Sequence, residues 1–151
     1  MRSSNVGQVL PASAFSYSVS LRVRHPTLDL SVLTDKLRLE PAHSWTAGEP
    51  RRSQTGAPLG GNHRDSYWSA PLPAQMDGPN SMPLELFFSQ QVLQLGRHRD
   101  FLSKLQSGGG EVSLLVEISP VANASLTFSS ATARKLADLN IEVEFQFVGG
   151  D

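Results

Sequence analysis

A chain of 151 residues, with 39% apolar and 18% charged residues, is the size and composition of one folded globular domain. The formal net charge of −1 argues against a dedicated nucleic-acid-binding protein, which normally carries a strong basic excess. The sequence has no apolar run long enough for a transmembrane helix, and its lack of cysteine excludes disulfides, thiolate catalysis and cysteine-ligated zinc.

The N-terminal residues differ in composition from the rest of the chain. Residues 1–13 are small and polar, and we predict that they form a mobile leader before a single domain over residues 14–149. The first eleven residues contain one arginine and no apolar stretch of the kind found in signal peptides. Together with the lack of cysteine, this favours a cytoplasmic protein.

The first patterned segment alternates apolar and polar residues from Phe15 onwards. A period of two predicts a strand with one buried and one solvated face. Leucines then recur at near-helical spacing, which predicts a short amphipathic helix over residues 29–38 with Thr27 or Asp29 as its N-cap.

The middle of the chain is rich in proline and glycine. Residues 41–66 show no periodicity, and we predict a long loop, because structureless segments of this length in compact domains are usually functional or disordered. A strand is predicted over residues 66–72, followed by a second loop over residues 73–83.

The second half of the chain returns to regular patterns. Leucine and aromatic residues predict a helix over residues 83–106, which Gly96 can divide in two. The elements that follow are two strands, a helix and a closing strand, over residues 112–118, 125–128, 131–138 (N-cap Ser129 or Ser130) and 141–147.

Three of these strands have one apolar and one polar face. Such strands belong to antiparallel or mixed sheets that are covered by helices on one side. We therefore predict an α+β fold, a two-layer sandwich in which helices pack on one face of a mixed or mainly antiparallel sheet. If the first and last strands are neighbours, Arg22 and Arg24 can oppose Glu142 and Glu144 on the open face.

Several short motifs follow one another in a fixed order after the alternating first strand. They are Leu39-Glu-Pro41, Trp45-x-x-Gly48-Glu49, Tyr67-Trp68, Leu114-Leu-Val-Glu-Ile118, and Leu126-Thr-Phe-Ser129 followed by Leu136-Ala-x-Leu139. In this order they resemble the bacterial domain-of-unknown-function family 4279, over nearly the whole chain from about residue 15. The closing Phe147-Val-Gly-Gly-Asp151 fits that pattern only loosely. The family has no established reaction, so the resemblance implies at most a small binding or immunity-type module.

Both tryptophans and a pair of adjacent arginines lie in or beside the predicted loop. Trp45 and Trp68 could line a pocket in which Arg51 and Arg52 clamp an anion or a carboxylate. Alternatively, both indoles fill the end of the core beneath the loop. Glu49 is a candidate for the same site, although it could instead pair with one of the arginines.

The histidines offer an alternative chemistry in the same segment. His63, with His43, could form an acid–base pair with Glu49 or Asp65, which would make the protein a small enzyme. The four histidines lack the spacing of a metal site, and the glycines before His63 lack the context of a nucleotide-binding loop. The sequence therefore predicts no metal, no cofactor and no specific catalytic residue.

These observations favour a non-catalytic binding module over an enzyme. The module would grip a protein partner or a small anionic ligand through Trp45, Glu49, Arg51, Arg52, His63 and Trp68. Neither a nucleic acid nor a membrane is expected as a partner. A homodimer through the open sheet face or an edge strand is a further alternative.

Overall fold

The structure is a computed structural model that describes residues 15–72, 82–120 and 125–149. The predicted leader over residues 1–13 and most of the predicted loop over residues 73–83 lie outside the described residues. In chain order the elements are β1 (Phe15–His25), α1 (Val32–Leu37), β2 (His43–Trp45), β3 (Pro50–Arg52), β4 (Pro58–Asn62), β5 (Ser66–Pro71), α2 (Leu84–Gly96), α3 (Arg99–Ser107), β6 (Glu111–Pro120), α4 (Ser130–Asp138) and β7 (Ile141–Phe147).

Five strands form one mixed sheet in the order β2-β5-β1-β6-β7. All neighbours are antiparallel except β6 and β7, which are parallel and are connected through α4. The period of two explains this sheet, because alternate residues such as Leu21 in β1 and Leu114 in β6 are fully buried. They form one core with helix residues such as Phe88 and Leu102. The predicted α+β fold, with helices on one face, is confirmed.

The first helix is shorter than predicted. It begins after Ser31 and ends at Leu37, where Arg38 adopts a left-handed conformation with φ of 56°. Asp29 does not cap it, because its Oδ1 accepts a hydrogen bond from the Ser31 amide in the preceding turn (3.0 Å). Backbone and side-chain hydrogen bonds from Ser31 lower the pKa of the Asp29 carboxyl. The leucine spacing therefore marked buried residues in this turn as well as in the helix.

The prediction that residues 41–66 form a structureless loop is wrong. This segment contains β2, which pairs with β5 at the edge of the main sheet, and a separate hairpin of β3 and β4. Every residue of the hairpin strands is exposed. These strands show no burial pattern, because backbone hydrogen bonds and not a buried apolar face hold them together.

The chain before α4 also differs from its prediction. Residues 125–129 form no strand, although Phe128 packs on Phe88 and Phe145 at centroid distances of 4.7 and 5.7 Å. The apolar residues of this segment therefore reflect contact with the core without strand pairing. The predicted cap is present, since Ser129 Oγ accepts a hydrogen bond from the Thr132 amide (3.1 Å).

The charged residues of the open sheet face pair differently from the prediction. The first and last strands are not neighbours, because β6 lies between β1 and β7. Arg22 nevertheless reaches across β6 to bond Glu144 at 2.5 Å. Arg24 pairs with Asp65 instead of a glutamate of β7, with Nη1 3.3 Å from Oδ2. Arginines thus lie on β1, and carboxylates lie on β6 and β7.

Candidate functional site

Trp68 lies in the hydrophobic core and takes no part in a surface site. Its side chain is 0% exposed, and its indole N–H donates to Thr34 Oγ1 at 3.1 Å. The alternation of β5 explains this position, because Ser66, Trp68 and Ala70 point towards the helices while Tyr67 points to the open face. The two tryptophans therefore lie in different environments, and only Trp45 is partly exposed.

Trp45 is partly buried on the open side of the sheet, where it stacks against two other rings. The His63 ring lies 4.3 Å from it with planes inclined by 12°, and the Tyr67 ring lies 4.9 Å away at 28°. Tyr67 is the direct partner of Trp45 in the β2–β5 register. The buried indole N–H of Trp45 has no acceptor among the described residues, so stacking and not a hydrogen bond holds this ring.

Arg24 extends this stack along the sheet. Its Cζ atom lies 5.3 Å from the centroid of the Tyr67 ring, its cross-strand neighbour in the β1–β5 register. Asp65, which directly precedes β5, orients the guanidinium. Arg24 Nη1 donates to Asp65 Oδ2 at 3.3 Å and to Oδ1 at 3.4 Å. We refer to His63, Trp45, Tyr67 and Arg24 as the aromatic row. It joins three strands and the end of the hairpin.

The aromatic row also fixes where the hairpin leaves the sheet. The Gly48 amide donates to His63 O, and the His63 amide donates to Glu49 O, both at 2.9 Å. Glu49 Oε1 accepts a hydrogen bond from the Thr46 amide (2.9 Å). Glu49 thus stabilises the turn into the hairpin, and it forms no ion pair with an arginine within the described ranges. Gly48 has a φ of 91°, which this turn requires and which glycine adopts most readily.

Arg51 and Arg52 project from β3 into solvent. Both are exposed, and neither forms an ion pair with a described residue. Within the described part of the chain, Arg52 Nη1 donates only to Gly56 O, at 3.3 Å, across the hairpin turn. Arg64 follows β4 and is also exposed. We call β3, β4 and these three cationic side chains the arginine hairpin.

The proposed acid–base pair is not assembled in the part of the chain that the structure describes. His43 and His63 form no side-chain hydrogen bond with Glu49 or Asp65, since Glu49 bonds a backbone amide and Asp65 bonds Arg24. The described residues also contain no group of three or more histidines and carboxylates positioned to hold a metal ion. The arrangement supplies stacked rings and cations, which suit recognition.

Tyr67 and Arg24 belong to the site, although their sequence pattern did not single them out. Both belong to strands that were correctly predicted, and both occupy the polar phase of the alternation. That alternation alone could have placed Tyr67 opposite to Trp68. The pairing of Tyr67 with Arg24 and Trp45 could not be read from it, because strand order and register depend on contacts that are distant in sequence.

A concave region lies away from the aromatic row, between α3 and the end of α4. It is an open, polar cleft of about 450 Å³ that includes Arg99, Asp100 and Asp138. Gln106 lies in it and donates to the carbonyl oxygens of Leu139 and Asn140, both at 3.0 Å. Gln106 therefore satisfies carbonyl groups at the C-terminal end of α4, which is a structural role.

One comparison with known proteins finds a match to this chain. A family model described as a domain of unknown function (DUF4279) matches residues 15–148, which is nearly the whole chain. Neither the curated proteins nor the solved structures contain a match. No helix in the described part of the chain combines the length and apolar character needed to cross a bilayer.

Proposed function

We propose that this chain, which belongs to the DUF4279 family, is a non-catalytic binding module that recognises an acidic surface on a partner protein. The arginine hairpin would make the ionic contacts, and the aromatic row would provide the fixed base from which the hairpin projects. The observation that carries the proposal is the exposure of Arg51 and Arg52 on a hairpin that is anchored by stacked rings.

The charges around the hairpin favour an anionic partner. Residues 48–65 contain three arginines, Arg51, Arg52 and Arg64, and two carboxylates, Glu49 and Asp65. Both carboxylates are already engaged, one by Arg24 and the other by a backbone amide. Guanidinium groups bind carboxylates with paired hydrogen bonds, and arginine is enriched among the residues that dominate interface energies.

The shape of the hairpin favours a protein surface over a small anionic ligand. Small ligands are usually enclosed in concave sites that bury most of their surface. Here β3 and β4 form their own two-stranded sheet, in which every residue is exposed. A projecting hairpin of this kind can enter a groove or lie along an acidic patch.

The test compares capture of partners from a lysate of the source organism by three immobilised proteins. These are the wild type, an Arg51→Ala/Arg52→Ala variant and an Arg134→Ala/Lys135→Ala control, which removes two adjacent exposed cations from α4. A protein captured by the wild type and the control, but not by the hairpin variant, would support the proposal. Equal capture by all three proteins would contradict the proposed interface.

A direct titration then separates ionic recognition from other contacts. Because each exposed guanidinium–carboxylate contact is screened by salt, the affinity of the purified partner should fall as the salt concentration rises. The hairpin variant should bind about tenfold or more weakly, since arginine contacts at the centre of an interface often contribute more than about 1 kcal/mol each. Its salt dependence should also be reduced.

A further inference from the structure

The outer edge of β7 is a second surface that the proposed function does not use. β7 is the last strand of the sheet, and three strands separate it from β2 at the other edge. The Val148 amide donates to Ile118 O at 2.8 Å, so the backbone of the even-numbered residues before it faces β6. The N–H and C=O groups of Val143, Phe145 and Phe147 therefore point away from the sheet. They bond to no other described residue.

Two different rows of side chains flank this edge. On the open face are Glu142, Glu144 and Gln146, with Glu117 beside them on β6. Of these three glutamates, only Glu144 has an ion-pair partner among the described residues, which is Arg22, so Glu117 and Glu142 leave this part of the face acidic.

The other face of β7 is apolar. Val143 and Phe145 are partly buried there against the core. Phe147 continues the row beyond the cover of the helices and is 69% exposed, and Val148 after it is 45% exposed. An unpaired edge with an acidic row on one face and an apolar row on the other is therefore available to a further strand.

We infer that β7 binds an extended peptide segment of a partner as a sixth strand, and that this segment alternates basic and apolar side chains. Its backbone would bond to the outward groups of β7. In that position its alternate side chains fall beside the neighbouring rows of β7. Basic side chains would lie beside Glu142 and Glu144, and apolar side chains would lie beside Phe145 and Phe147.

The same charges disfavour a second copy of this chain at the edge in the registers that bring its glutamates together. Full antiparallel overlap of two β7 strands places Glu144 directly opposite Glu144 of the other copy. Sliding one strand by two residues, so that Val143 lies opposite Val143 of the other copy, places Glu142 of each copy opposite Glu144 of the other. Like charges in directly opposed positions destabilise strand pairing, whereas a basic segment removes this repulsion.

The test uses the full chain and a fluorescein-labelled peptide in which lysine and valine alternate over the length of β7. Fluorescence anisotropy at low salt should show saturable binding, and a peptide of the same composition with the lysines and valines in separate blocks should bind at least about tenfold more weakly. Glu142→Lys/Glu144→Lys should weaken binding by about tenfold or more and should favour an alternating glutamate–valine peptide. Equal binding of the alternating and block peptides, or no binding of either, would overturn the inference.

Backbone methylation tests the strand pairing itself. Two versions of the peptide are made, one with N-methyl groups on its valines and the other with N-methyl groups on its lysines. In an antiparallel arrangement the valine amides face β7, and in a parallel arrangement the lysine amides do. Loss of binding with only one version would support the added strand and give its direction. The same effect from both versions, whether retention or loss, would contradict it.

Discussion

Replacing Trp68 by alanine should destabilise the protein without acting through a binding surface. The side chain is fully buried in the core cluster, where Val23 is its direct partner in the β1–β5 register, and its indole N–H bonds Thr34. Truncating a buried tryptophan or phenylalanine to alanine usually costs about 3–5 kcal/mol, through lost burial and the cavity that remains. This is a large part of the roughly 5–15 kcal/mol by which a domain of this kind is stable.

The assay is urea unfolding followed by circular dichroism, because tryptophan fluorescence would change with the substitution itself. Trp68→Phe retains most of the apolar volume and loses the hydrogen bond, so it should cost less than Trp68→Ala. Thr34→Val leaves the indole N–H without its acceptor and should cost about 1–3 kcal/mol. A loss below about 1 kcal/mol for Trp68→Ala would refute the core assignment of this residue.

Three further substitutions test the fold. Burial raises the pKa of the Tyr17 phenol, so the folded state retains its proton above pH 10.0 while the unfolded state loses it. The free energy of unfolding should therefore fall as the pH rises through this range. It should fall less steeply in Tyr17→Phe, which urea unfolding at a series of pH values would show. Ser129→Ala removes the side-chain cap of α4 and should cost about 1 kcal/mol in urea unfolding; an unchanged midpoint would contradict the cap. Gly110→Ala should lower the thermal midpoint, because its Cβ would lie 2.6 Å from the backbone carbonyl oxygen of Leu105. Gly96→Ala meets no atom within 4 Å and should not lower it, so similar midpoints would argue against this packing.

The sequence predicts the elements that bury one face, because burial imposes a period on the chain. The strands that begin at Phe15, Glu111 and Ile141 were all recognisable from alternation, and Gly96 marks the end of the first long helix. The mixed sheet with helices on one side follows from these one-sided strands. These predictions rest on local patterns, and the structure confirms them.

The hairpin and the aromatic row depend on interactions that leave no such pattern. The strands of the hairpin have no buried residue, and the three residues of β2 are too few to show a period. Trp45 meets His63 because the hairpin closes through Gly48 and Glu49, and it meets Tyr67 through strand register. The sequence could therefore nominate Trp45 and His63 as site residues, but it could not show that their rings stack on each other.

The affinity of the captured partner for the arginine hairpin tests the central claim most directly. The measurement is a calorimetric titration of the purified partner into the wild type, Arg51→Ala/Arg52→Ala and the Arg134→Ala/Lys135→Ala control, each first shown to be folded. We expect the hairpin variant to bind about tenfold or more weakly, and the control to bind like the wild type. Equal affinities for the wild type and the hairpin variant would contradict the account.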